Sequence, residues 1–114
     1  MFPSHAAVSG AAAAAALQWL DQYRESLAHL VREPGDASLF RRNTEVFETM
    51  RGLTGSLPLV QVCWVEVLIS RFELFDALVR GCGAESAQRR TGELLDRHRE
   101  TLETFGRLCE RCVH

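Results

Sequence analysis

Cys109 and Cys112 stand three apart near the end of the chain, with His114 just beyond them and Cys82 upstream. Zinc takes four soft or borderline donors in a tetrahedron, so Cys82, Cys109, Cys112 and His114 form a candidate Cys₃His site. The spacing has a second meaning. Residues i and i+3 share a helix face, and both thiols then point at a core. Strong zinc signatures carry two separated cysteine pairs, and this chain has one. A thioredoxin-like role fits less well, because that motif opens a helix after a strand and this one closes the last helix.

His98 is the other candidate for chemistry, on the apolar side of the same segment. An inward histidine serves as a hydrogen-bonded core residue or as a base or ligand. Nothing else joins it. No glycine-rich loop has phosphate-cradling spacing, since Gly81-x-Gly83 lacks a third glycine and a preceding strand. No serine lies in a nucleophile-elbow context. No Glu-x-x-His occurs, so the di-iron bundle signature is missing. The expectation is a protein that is not an enzyme, with no cofactor and no small-molecule substrate.

Composition agrees. The 114 residues are 46% hydrophobic and 25% charged, which suits one globular core. The formal net charge is -2 and no basic stripe is evident, so nucleic acid is not an expected partner. All thirteen basic residues are Arg. Without Lys there is no Schiff-base chemistry and no P-loop lysine, whereas Arg forms bidentate and stacked contacts. The N-terminal alanine-rich run has no Lys or Arg before Arg24, unlike a secretory or mitochondrial leader. The most apolar run, Leu57 to Ile69, is too short to cross a bilayer and contains Gln61 and Glu66. Cys63 in that run reads as a buried thiol. An intracellular setting, cytoplasmic or nuclear, is expected.

Punctuation divides the chain into four helices. Residues 1–8 are expected to be a flexible N-terminus and 9–113 a single helical-bundle domain. Ser9 caps a first helix, whose apolar residues Ala13, Ala16, Leu17, Leu20, Leu27, Leu30 and Val31 keep helical spacing. Pro34-Gly35 ends it. Asp36 caps a short second helix with Leu39, Phe40, Val46, Phe47 and Met50 inward. Asn43 interrupts the stripe, and Gly52 stops the helix near Arg51. Ser56 and Pro58 open a third helix to Arg80, apolar nearly all round and therefore central and surrounded. After Gly81-Cys82-Gly83, a fourth helix runs from about Ser86 to Cys112. Its charged face offers the pairs Glu93–Arg97, Arg99–Glu103 and Glu103–Arg107. The expected fold is all-α: an up-and-down four-helix bundle with a short second helix and an apolar central third.

The aromatic residues point to a function. Trp19 falls off the main stripe of helix one, and Tyr23 is one turn further on, beside Arg24. Together they predict an aromatic ledge, since aromatics and Arg are enriched at interface cores. With Leu20, Leu27 and Trp64 they make the expected protein-contact set. The competing reading packs Trp19 and Tyr23 under a neighbouring helix and puts Trp64 in the core.

Gln22-Tyr23-Arg24, followed by Arg42 and Phe47 and then an apolar helix, resembles the LYR-motif family. Gln22 stands where that motif has its leading Leu. The resemblance implies a small helical mitochondrial protein that assists iron–sulfur or respiratory-complex assembly together with acyl carrier protein. The residues themselves favour a broader expectation: a helical interaction module, part of a larger assembly or self-associating. A third helix with so little polar surface calls for a protein partner or a second copy.

Overall fold

A computed structural model describes the backbone of residues 5–81 and 85–113, and the side chains of residues 10–81 and 88–113. Those residues form α1 (His5–Arg32), α2 (Ala37–Thr54), a 3₁₀ turn (Pro58–Val60), α3 (Gln61–Arg80) and α4 (Glu85–Val113). No strand occurs among them.

Several helix ends differ from the sequence expectation. α1 begins at His5, so residues 5–8 are helical and Ser9 lies inside the helix. Alanine-rich sequence propagates a helix readily, and nothing around Ser9 forces a start there. Asp36 caps α2 as expected, accepting from the amides of Ser38 (2.9 Å) and Leu39 (3.2 Å). α2 runs through Gly52 to Thr54. A mid-helix glycine costs about 1 kcal/mol, which the burial of Thr54 and partial burial of Leu53 offset. Leu57, not Ser56, precedes the 3₁₀ turn, and it provides no side-chain cap.

The four helices form the expected up-and-down bundle. α1 packs on α2 and α4, and α3 packs on α4. Side chains at one level show the antiparallel order. Tyr23 of α1 meets Phe47 of α2 and His98 of α4. Ser70 of α3 meets His98. Phe40 and Phe47 of α2 reach Phe75 and Trp64 of α3.

Each inner stripe steps by three and four residues, the spacing that keeps one helix face turned to its neighbours. In α1 it is Ala13, Ala16, Leu20, Tyr23, Leu27 and Leu30, all 3% exposed or less. In α4 it is Leu94 or Leu95, His98, Leu102, Phe105 and Cys109. In α3 it is Trp64, Val67 and Leu74, joined by Ser70 and preceded by Val60 of the 3₁₀ turn. The expected surrounded position of α3 is not found. It is one of four outer staves, and its other side faces water.

The expected ion pairs along α4 are also absent among the described residues. Arg97 instead reaches Glu73 of α3, and Arg99 turns back to Asp96, each at 3.9 Å. Exposed pairs one turn apart stabilise so little that alternative partners compete easily.

Candidate interaction surface and polar core

Two features stand out: a polar cluster sealed inside the bundle and an apolar stripe outside it.

The polar cluster centres on His98, which is fully buried. Its Nε2 lies 2.7 Å from the Tyr23 hydroxyl and its Nδ1 2.8 Å from Ser70 Oγ. Ser70 Oγ is 2.9 Å from Thr101 Oγ1, which donates to the His98 carbonyl at 2.8 Å. Proton counting narrows the arrangement. The buried phenol donates its proton to His98 Nε2, the acceptor beside it. Nδ1 then carries the ring proton and donates to Ser70, the Ser70 hydroxyl is shared between the Val67 carbonyl at 3.1 Å and Thr101 Oγ1, and Thr101 donates to the His98 carbonyl. Burial, and after it the positive charge of Arg71, pushes the His98 pKa down to about 3. Burial likewise raises that of Tyr23. The imidazole is therefore neutral.

A hydroxyl beside an imidazole is also the pairing of a nucleophile and its base. Here Tyr23, Ser70 and His98 are at most 2% exposed. A neutral, weakly basic imidazole with no opening to solvent holds α1, α3 and α4 in register; a substrate cannot reach it.

Arg71 extends the cluster into the seam between α2 and α3. Its guanidinium lies 4.3 Å from the Phe47 ring centre and 4.1 Å from that of Phe75. Nη2 donates to Asn43 Oδ1 (3.1 Å) and Thr44 Oγ1 (3.2 Å). Asn43 Nδ2 in turn donates to Ser26 of α1 at 3.0 Å. Arg71 Nε is buried without a partner.

These placements correct the expected aromatic ledge. Tyr23, Leu20, Leu27 and Trp64 are all core residues. Tyr23 continues the three–four stripe of α1, and that spacing was the signal for its burial. Trp64 stacks on Phe47 at 4.9 Å and touches Phe105 at 5.3 Å. Trp19 is partly buried against the core. Arg24 alone lies exposed, 3.9 Å from Asp21.

The cysteine set is only partly within view. Cys82 and His114 lie outside the described side chains. Cys109 is buried, and burial followed by the neighbouring Cys112 and Cys63 pushes its pKa up to about 12. Cys63, Cys109 and Cys112 are free thiols. Among the described residues no three of His, Cys, Asp and Glu gather as metal ligands.

The surface feature is α3. Nine large apolar side chains are exposed among the described residues, and six of them lie on this helix. They are Val62 (81%), Val65 (51%), Leu68 (38%), Ile69 (44%), Phe72 (74%) and Val79 (73%). Leu59, at 74%, precedes them. Val62, Val65, Ile69, Phe72, Asp76 and Val79 again step by three and four. α3 thus carries two such stripes, one buried in its own bundle and one turned outward. A fully exposed side chain of this size offers roughly 60–120 Å² of apolar surface. At the observed exposures the seven residues present about 260–520 Å², comparable to the largest patch of a monomer.

No protein family, curated protein or solved structure matches the chain. Among the described residues no helix is long and apolar enough to cross a membrane. The geometry alone therefore bears on function.

Proposed function

We propose that this protein is a non-enzymatic helical interaction module, a subunit or adaptor of a larger assembly, and that the outer face of α3 is its binding surface. One observation carries the reading: the second three–four stripe on α3. The bundle itself needs one stripe per helix. A second, apolar from Leu59 to Phe72 in contact with water, costs solubility unless another protein covers it. The sealed polar core fits the same view, because Tyr23, Ser70 and His98 bond to one another and face no substrate. The free thiols go with an intracellular location.

The test is the size of the native assembly in extracts of cells that express the protein naturally. Wild-type chain should elute well above the mass of one chain, and a Val62→Glu/Phe72→Glu variant should shift toward that single-chain mass. Identical elution of the two would overturn the assignment of this surface.

A further inference from the structure

We infer that the occupant of the α3 surface is a second copy of this chain, its α3 lying antiparallel across the first with the two-fold axis near Val67. The inference rests on the outer stripe of α3 being the binding surface, and it adds the partner and the geometry.

Three observations point there. The first is area. A standard interface buries about 800 Å² on each side, a little under two-thirds of it apolar. The stripe supplies about 260–520 Å² of apolar side-chain surface by itself. One helix face packed on its own copy therefore provides much of the apolar part of a standard dimer interface.

The second is the distribution of that surface. The apolar residues recur from Leu59 to Phe72 with the exposed Gln61 and Glu66 beside them, and Val79 follows only after Asp76. An axis near Val67 sets Val62 against Phe72 of the other copy and Val65 against its Ile69. Leu68 then lies next to its own equivalent. The large ring of Phe72 thus faces the small Val62, which suits interdigitation.

The third is charge. Asp76 sits on the stripe and pairs with Arg80 at 2.9 Å. A parallel, in-register pair would bring two Asp76 carboxylates together in the seam, where like charges repel. The antiparallel arrangement moves each Asp76 out of the seam, beside the partner's chain near Pro58, where the 3₁₀ turn and α3 begin. The first turns there hold no acidic residue, so no like charge opposes the incoming Asp76.

The experiment uses purified full-length protein and light scattering after size exclusion, at tens of micromolar. Wild type should show twice the chain mass. Val62→Glu and Phe72→Arg, both at highly exposed positions, should each fold with unchanged helicity and show the mass of one chain. An equimolar mixture of the two variants should recover the doubled mass. In the antiparallel arrangement Glu at 62 meets Arg at 72 in the mixed pair, while Phe72 and Val62 at the other end stay native. A parallel pair cannot do this, so two monomeric variants without recovery on mixing overturn the antiparallel geometry. A doubled mass that neither variant disturbs overturns the surface. A monomeric wild type overturns the second copy as partner. If the native assembly in cell extracts still depends on Val62 and Phe72 in that case, the α3 surface stands and its occupant is another protein.

Discussion

The Tyr23 hydroxyl and His98 Nε2 lie 2.7 Å apart, joining α1 to α4 across 75 residues of sequence. Both groups are closed to solvent, so the bond has no competition from water. Tyr23→Phe keeps the ring contacts with Phe47 and removes only the donor. It leaves His98 Nε2 as a buried acceptor without a partner, which costs about 1–3 kcal/mol. Thermal melts should show a loss of several degrees. The double variant Tyr23→Phe/His98→Leu should be less destabilised than the sum of the single changes, by about 0.5–3 kcal/mol, because the two groups act as one unit. Additive losses would mean that the contact contributes nothing specific.

Acid stability follows from the same histidine. Its pKa is about 3 in the bundle and 6.5 in the unfolded chain. Between those values the unfolded chain binds the proton and the folded one does not. The contribution to stability is therefore complete above about pH 6.5 and falls as the pH drops toward 3. The slope approaches about 1.4 kcal/mol per pH unit for one proton. Denaturant midpoints measured from pH 7.5 to pH 4 should decline, and the decline should be shallower in His98→Gln, which can keep polar contacts without titrating. Equal slopes would show that His98 is solvated or already charged in the fold.

Arg71 adjoins this cluster as a cation between two aromatic faces. Lysine can keep the charge but not the flat stack with Phe47 and Phe75 or the forked reach to Asn43 and Thr44. Arg71→Lys should therefore destabilise by about 1–2 kcal/mol, in line with a partly desolvated cation–π contact. Arg71→Met tests the electrostatic part. Removing the positive charge should raise the His98 pKa, which NMR titration of its ring protons would register. Burial, the larger cause, remains, so the value should stay below 6.5. An unmoved His98 would place the charge of Arg71 too far away to matter.

How much of this could be read in the sequence depends on how strongly each residue type commits to a place. The four helices were legible because Pro34-Gly35, Asp36 and the Pro58 region punctuate the chain, and chemistry there has few alternatives. Tyr23 and Asn43 were harder. Both occupy core positions by spacing, yet their polar atoms suggest surface until their partners are known. Tyr23 finds His98, and Asn43 finds Ser26 and Arg71, through contacts that only the folded bundle creates. The α3 segment failed differently. Its apolar content implied burial on every side, which a stave of a four-helix bundle cannot have. The two stripes are separable only once the direction of the core is known. Cys109 shows the converse: its place on the inner face followed directly from helical spacing.

The two glycines inside α4 separate intrinsic preference from packing. In isolation each costs about 1 kcal/mol relative to alanine. A methyl group at Gly92 would meet nothing within 4 Å, so Gly92→Ala should stabilise by about 0.5–1 kcal/mol in denaturant melts. At Gly106 the added carbon would stand 3.0 Å from Leu20 Cδ2 on α1. That distance requires Leu20, a buried residue between close-packed helices, to shift. Gly106→Ala should therefore gain less than Gly92→Ala or lose stability outright, and Gly106→Val should lose about 1–3 kcal/mol through overpacking. Restoring room with Leu20→Val should recover part of the Gly106→Val loss. Equal gains at the two positions would mean that α1 and α4 do not approach each other at Gly106.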